Sequence, residues 1–202
     1  HLIVPSRVVY TWKMEEAQEL LSCLTERKAK GRWTIKGYKS PYLEQEHAEG
    51  RLTAPTLTQV GKMCVLQTIA SMGFELELGD VSGAFLESDQ MEKELYAEQP
   101  PEGLPGLQPG QIIMLLGPVY GISSAPNRWH GTWDKSAVAC GWTKARQDAC
   151  VYVVRESDGR LVGILGLHVD DCVTGGEGPR YEQARDALKK RFPFRRWAKK
   201  EG

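Results

Sequence analysis

Two adjacent aspartates lie between two apolar runs in the stretch Gly163-Ile164-Leu165-Gly166-Leu167-His168-Val169-Asp170-Asp171-Cys172-Val173-Thr174-Gly175-Gly176. Two such runs joined by a short polar turn are typical of a β-hairpin, which places Asp170 and Asp171 at its tip. Adjacent carboxylates repel each other, and burying them unpaired is costly. The pair is therefore expected either to stay in water, as turn aspartates commonly do, or to bind a cation.

A third aspartate, Asp80, follows an alternating stretch. Between Phe74 and Leu86 apolar and polar residues alternate as far as Asp80, which predicts a strand. The small residues after it, Ser82-Gly83-Ala84, allow another group to approach closely. Farther along the chain, Tyr120-Gly121 forms a glycine turn that leads into a predicted helix from Ala125 to Cys140.

These motifs resemble, in order and in spacing, the reverse transcriptase of copia-type LTR retrotransposons. The matching segments are Asp80-Val81-Ser82-Gly83-Ala84-Phe85-Leu86, Leu95-Tyr96 with Gln99-Pro100, Tyr120-Gly121 with Ala125-Pro126 and Trp129, and Val169-Asp170-Asp171. The likeness extends from about Lys30 to Phe194. It implies an RNA-directed DNA polymerase, cut from a Pol polyprotein, that adds nucleotides to a primer 3′-hydroxyl by a two-metal mechanism.

The resemblance assigns the catalytic and metal-binding role to Asp80, Asp170 and Asp171. In that family these aspartates hold two Mg²⁺ ions, for which Mn²⁺ is a substitute. Carboxylate oxygens are the ligands that hard divalent cations prefer, and two such ions together suit phosphoryl transfer.

Further site residues follow from the same resemblance. The nucleotide-binding set is Lys30, Arg32, Val81, Phe85, Tyr120 and Gly121, and the primer-end set is His168 and Val169. Arg32 is the first candidate for the triphosphate, because a guanidinium group can bind two phosphate oxygens at once. Phe85 matches the family's aromatic gate against ribonucleotides, although composition alone favours a core phenylalanine there. His168 replaces the family's usual tyrosine, and a histidine ligand at that position would favour a hydrolase instead.

Charge is distributed unevenly along the chain. The net charge is zero, which by itself argues against nucleic acid, but residues 27–39 contain six basic residues and no acidic one. Residues 185–200 contain eight basic residues against Asp186, and residues 75–102 contain nine acidic residues against Lys93. The two basic segments suit contact with a phosphate backbone, and the acidic segment between them suits metal binding. Solvated helix faces and loops are the alternative interpretation of both basic blocks.

The mixture of strands, helices and hairpins without a βαβ repeat indicates an α+β fold, an antiparallel sheet with helices packed on one face. The resemblance identifies this layer as a polymerase palm. It assigns residues 1–57 to the N-terminal part of the fingers and 58–202 to the palm, with 91–125 as a segment that can return to the fingers. No stretch indicates a thumb or an RNase H domain.

Local patterns add four expectations about single elements. The apolar residues between Met14 and Thr25 recur at helical spacing, which predicts a helix. Val60 to Met72 predicts a helix, apolar nearly all round and therefore buried, between a Thr58 cap and Gly73. The apolar segment Ile112 to Leu116 predicts a short buried strand. The segment Gly175 to Pro179 predicts a glycine-rich turn.

The partners implied are an RNA or DNA template with its primer, deoxynucleoside triphosphates and the other domains of the Pol polyprotein. The chain has no signal peptide or long apolar span, which predicts an intracellular protein without a membrane segment, in a cytoplasmic particle or the nucleus. Its five scattered cysteines lack CxxC spacing and predict reduced thiols rather than a zinc site. Two alternatives stay open: a decayed, inactive element that binds nucleic acid, and a metal-dependent nuclease or cyclase on a similar palm.

Overall fold

The computed structural model describes residues 2–14 and 27–200. In chain order its helices and strands are β1 (Ile3–Val4), β2 (Ser6–Met14), β3 (Arg27–Ile35), α1 (Leu43–Ala48), α2 (Gln59–Met72), β4 (Glu75–Val81), β5 (Tyr96–Ala97), β6 (Ile113–Met114), α3 (Ala125–Ala139), β7 (Thr143–Lys144), β8 (Val151–Arg155), β9 (Leu161–His168), β10 (Asp171–Gly176), α4 (Gly178–Arg191) and β11 (Phe194–Lys200). They form two compact units, His1–Glu49 with Gln90–Ala125 and Gly50–Asp89 with Pro126–Gly202. None of the described helices is long and apolar enough to cross a membrane.

The second unit is built on a six-stranded sheet in the order β11-β4-β10-β9-β8-β7. Every neighbouring pair in this sheet is antiparallel. The predicted aspartate hairpin is present, since β9 pairs with β10, and β8 pairs with the other side of β9. A mixed α and β architecture with antiparallel sheets is therefore confirmed.

Helices cover both faces of this sheet, so the prediction of helices on one face is wrong. Adjacent residues of a strand face opposite sides. A Cβ atom on Gly175 would lie 2.9 Å from the side chain of Ile69 in α2, whereas one on Gly176 would lie 2.5 Å from the ring of Tyr181 in α4. The prediction failed because apolar alternation shows that a face is buried, not which helix covers it.

The ends of α2 agree with the sequence. The hydroxyl of Thr58 accepts the N–H of Gly61 at 2.9 Å, and the helix ends at Gly73 in a left-handed conformation, with φ of 66°. The carboxylate of Asp148, from the turn before β8, accepts the Thr58 hydroxyl at 2.7 Å and the N–H of Cys150 at 2.8 Å. Asp148 thereby ties the start of the helix to the sheet.

The predicted burial of α2 is wrong on one side. Its buried positions are Gly61, Val65 and Ile69, which pack on the sheet, whereas Val60 and Met63 are exposed. The helix is apolar on both sides, and such a sequence cannot indicate which side meets the sheet.

An aromatic cluster forms the main core of the second unit, on the face covered by α3 and α4. Trp129 and Trp133 of α3 both contact Phe192, with ring centroids 5.2 Å apart in each case. Each such buried side chain contributes about 1.5–3 kcal/mol of hydrophobic stabilisation. The two tryptophans of α3 therefore belong to the core.

Three further expectations need correction. Gly175 and Gly176 belong to β10 rather than to a turn, because their missing side chains make room for both helices. In the segment 112–116 the strand is only two residues long, and Ile112, Met114 and Leu116 are exposed. Met14 pairs with Arg27 as strand, and the remainder of the expected helix, residues 15–25, lies outside the described residues.

The first unit contains the hairpin of β2 and β3 and the three-stranded sheet β1-β5-β6. The turn at Tyr120-Gly121 lies against the end of β3. The N–H of Ile35 donates to the carbonyl of Tyr120 at 2.8 Å, and the N–H of Gly37 donates to that of Gly121 at 3.2 Å. The sheet edge and the turn are thus fixed to each other by backbone bonds.

Candidate active site

The aspartate hairpin has a two-residue connection. β9 ends at His168, β10 begins at Asp171, and these two residues face each other across the ladder. Val169 in the connection has φ of 58°. Two-residue hairpin loops need positive φ, which glycine, asparagine or aspartate normally provides. A β-branched residue there is an outlier and marks a turn held by its surroundings.

The sheet register brings Asp80 to this turn. β4 runs beside β10, and Asp80 lies directly opposite Asp171. The N–H of Val81 donates to the carbonyl of Asp170 at 2.8 Å, which joins the end of β4 to the turn itself. Asp170 and Asp171 are exposed, and Asp80 is half-buried. Three carboxylates from distant parts of the sequence therefore meet at one end of the sheet.

Close packing beside Asp80 depends on Gly79. A Cβ atom on Gly79 would lie 2.7 Å from the ring of Trp197 in β11 and 2.8 Å from the Sγ atom of Cys172 in β10. The absence of a side chain at Gly79 lets both neighbouring strands pack closely at the residue before the aspartate.

Negative charge is concentrated at this end of the sheet. Partial burial, followed by the charges of Asp170 and Asp80, raises the pKa of Asp171, and His168 and Arg195 oppose that rise. The guanidinium group of Arg195 in β11 forms an ion pair with the carboxylate of Asp80. Arg195 was not among the predicted site residues, although it lies in the C-terminal basic block. Its position depends on the long-range pairing of β11 with β4.

The donor set suits a divalent cation. Carboxylate oxygens are the ligands that Mg²⁺ prefers, and a cation would relieve the mutual repulsion of the three aspartates. Among the described residues, however, no group of three or more His, Cys, Asp or Glu side chains is already arranged around a metal position. Arg195 also engages one oxygen of Asp80. The residues fit by their chemistry, and a cation would compete with Arg195 for Asp80.

The neighbouring predicted residues have different environments. The side chain of Val81 is buried in the core, and its backbone N–H is bonded to the carbonyl of Asp170. Phe85, in a short 3₁₀ turn after β4, is half-buried and packs against the same core. His168 is exposed and Val169 is half-buried at the turn.

In the first unit, the structure places Arg32 with the Tyr120-Gly121 turn. The guanidinium carbon of Arg32 lies 5.6 Å from the centre of the Tyr120 ring, a cation–π distance. Gly121 has φ of 90°, and a Cβ atom there would lie 2.0 Å from the carbonyl oxygen of Ile35. Lys30 lies two residues before Arg32 and therefore on the same side of β3.

A buried charged cluster lies three residues before Asp80. The carboxylate of Glu77 accepts hydrogen bonds from Arg185 at 3.1 Å, from the hydroxyl of Tyr181 at 3.2 Å and from the indole N–H of Trp197. These donors belong to α4 and β11, so Glu77 fixes both elements to β4. The sequence showed Glu77 as one more polar residue of an alternating strand and gave no sign of its burial.

Comparison with known proteins places these motifs in context. The model of the family described as "Reverse transcriptase (RNA-dependent DNA polymerase)" matches residues 1–201. The chain is 31% identical over 153 residues to the retrovirus-related Pol polyprotein from transposon TNT 1-94 of Nicotiana tabacum, a match that covers 73% of this chain and 11% of that protein. It is 26% identical over 117 residues to a putative transposon Ty5-1 protein of Saccharomyces cerevisiae, covering 57% of this chain and 37% of that protein.

Proposed function

This chain belongs to the reverse transcriptase (RNA-dependent DNA polymerase) family, and we propose that it extends a primer by RNA-directed DNA synthesis at the three aspartates. The resemblance to copia-type retrotransposon reverse transcriptases is confirmed by the family match and by the two transposon relatives. The chain spans a small part of those relatives, so the activity of a whole Pol polyprotein remains part of the proposal.

The observation that carries the proposal is the pairing of β4 with β10. This register sets Asp80 opposite Asp171 and bonds Val81 to the carbonyl of Asp170. Phosphoryl transfer depends mainly on positioning and on charge stabilisation, so three carboxylates on a rigid sheet end supply most of what the protein must provide.

In this mechanism Asp80, Asp170 and Asp171 would hold two Mg²⁺ ions, with Mn²⁺ as a substitute. Ions bound there supply Lewis acidity that activates the primer 3′-hydroxyl and neutralises the triphosphate. Arg195 holds Asp80 in place when no cation is bound, and His168 and Val169 border the primer end.

Each unit carries residues to which the resemblance assigns a contact with the nucleotide. Arg32, with Lys30 beside it, pairs with the triphosphate because a guanidinium fork matches phosphate oxygens. Tyr120 and Gly121 form the wall of that pocket. In the second unit, the backbone of Val81 and the ring of Phe85 border the sugar, where Phe85 excludes a ribose 2′-hydroxyl.

The subdomain assignment belongs to the same proposal. Residues 1–57 and 91–125 would form part of the fingers, and the remainder of 58–202 would form the palm. The template, RNA or DNA with its primer, and the other Pol domains would act with this chain inside the cell, in a cytoplasmic particle or the nucleus.

A primer-extension assay tests this function. The chain, together with its flanking Pol sequence, is incubated with a labelled DNA primer on an RNA or DNA template, deoxynucleoside triphosphates and Mg²⁺ or EDTA. Extension in Mg²⁺ that stops in EDTA is the expected result. Shortening of the primer would indicate a nuclease, and template binding without extension would indicate a decayed element; either result contradicts the proposal.

A further inference from the structure

We propose that Trp129 is a positioning residue that fixes the conformation of the aspartate turn through its indole N–H. Trp129 lies in α3, remote in sequence from the turn, and its Nε1–H donates to the carbonyl oxygen of Val169 at 2.6 Å. The inference rests on the proposed function, because it gives the turn a role in catalysis. It assigns to a core residue a task that hydrophobic packing alone does not require.

The turn needs such support because of its backbone. Val169 has φ of 58°, a left-handed conformation that β-branched residues rarely adopt. Conformations of this kind persist only where the surrounding structure enforces them. Relaxation of Val169 would rotate the adjoining peptide groups and with them the carboxylates of Asp170 and Asp171.

Both carbonyl groups of the two-residue connection are held from outside the hairpin. Trp129 of α3 bonds the carbonyl of Val169, and the backbone N–H of Val81 in β4 bonds that of Asp170. The second bond also ties the turn to the strand that carries Asp80. Loss of the first bond should therefore loosen the second, since both act on adjacent peptide groups.

Trp129 is itself rigid enough to act as an anchor. Its side chain is 1% exposed. Its ring makes edge contacts with Trp133, at 5.8 Å between centroids, and with Phe192, at 5.2 Å. A hydrogen-bond donor fixed by packing on two sides can hold a strained acceptor in one place.

The chain provides a matched control in Trp133. It lies one turn later in the same helix, is 0% exposed and stacks on the same Phe192. Its indole N–H has no hydrogen-bond partner among the described residues. Tryptophan to phenylalanine at either position removes the same atoms from the same core, but the bond to the turn is lost only at position 129.

The test compares Trp129→Phe with Trp133→Phe in two measurements. The first is primer extension, with kcat and KM for the nucleotide measured separately. The second is amide hydrogen exchange at Val81, whose acceptor is the carbonyl of Asp170. It is referred to the amide of Ala145, which donates to Val151 of β8, outside the aspartate hairpin. Trp129→Phe should lower kcat roughly tenfold with KM changed less than twofold, and should speed exchange at Val81 roughly tenfold relative to Ala145. Trp133→Phe should change neither kcat nor the rate of exchange at Val81 relative to Ala145 by more than about twofold.

A further variant keeps the inference testable if Trp129→Phe does not fold. Benzothienylalanine at position 129 replaces the N–H by sulfur and preserves the ring volume, and it should show the same loss. Equal effects at positions 129 and 133, or no effect of removing the N–H, would overturn the inference. If the wild-type chain extends no primer, the polymerase proposal fails, whereas the exchange at Val81 still decides whether Trp129 fixes the turn.

Discussion

Replacing Glu77 with glutamine should lower the free energy of unfolding by about 3 kcal/mol. The side chain of Glu77 is 2% exposed and that of its partner Arg185 is 14% exposed. Breaking a buried ion pair by removing one charge typically costs about 3–5 kcal/mol, because the other charge stays buried without compensation. The lower end of this range applies, since Arg185 retains Asp186 at 2.9 Å and glutamine can still accept one hydrogen bond.

The same strand provides the control. Glu75 forms an ion pair with Lys199 at 2.8 Å, but these side chains are 47% and 51% exposed. Exposed pairs contribute about 0–1 kcal/mol because water screens them. Glu75→Gln should therefore change the unfolding free energy by less than about 1 kcal/mol.

Urea denaturation followed by tryptophan fluorescence and by circular dichroism measures both variants. Agreement of the two signals establishes whether a single transition describes the second unit. If Glu77→Gln costs no more than Glu75→Gln, the buried cluster does not hold α4 and β11 to β4. The assignment of Glu77 as the residue that fixes these elements would then be refuted.

Three further measurements test other parts of the site. Burial favours a raised pKa for Asp148, but its hydrogen bonds outweigh burial and lower that pKa. Asp148→Asn should therefore lower the free energy of unfolding by about 1–3 kcal/mol at neutral pH, and this difference should disappear as the pH falls through the lowered pKa. The exposed Asp158→Asn should show no such loss. Arg32→Ala should raise the KM for nucleotide by about tenfold or more, from the loss of a charge-assisted contact, whereas Arg7→Ala on the neighbouring strand should leave it unchanged; loss of template affinity with constant KM would mean that β3 binds backbone phosphate. Phe85→Val should increase ribonucleotide use roughly 5- to 150-fold relative to deoxynucleotides, and unchanged selectivity in a folded variant would show that Phe85 is only core.

Local patterns were sufficient for several elements of the fold. The aspartate hairpin, the ends of α2 and the extent of α3 each depend on residues close together in sequence, such as the Thr58 cap and the left-handed Gly73. Turn and cap chemistry acts over a few residues, so one sequence contains the whole signal.

The remainder depends on contacts between distant residues. β11 was missed because its basic residues resemble a solvated tail, and its strand conformation comes from pairing with β4. The exposed side of α2 could not be told from its buried side, since both are apolar. Gly175 and Gly176 looked like turn residues, but they allow Ile69 and Tyr181 to pack on opposite faces of β10.

The same contrast between local patterns and long-range contacts holds for the candidate site. The aspartates were identifiable from motifs, because the family's order and spacing appear in the sequence. Their supports were not: Arg195, Trp129 and Glu77 act through partners that lie 115, 40 and more than 100 residues away. No pattern within a single segment encodes such a contact.

Magnesium-dependent nucleotide incorporation by Asp170→Asn tests most directly whether the paired strand ends form the catalytic centre. The variant is compared with wild type and with Asp158→Asn, which changes an exposed hairpin aspartate, after circular dichroism has shown that all three are folded. We expect Asp170→Asn to lose incorporation by at least 100-fold, with template binding retained, while Asp158→Asn keeps wild-type activity. Incorporation by Asp170→Asn at the wild-type rate would contradict the assignment of catalysis to the three aspartates.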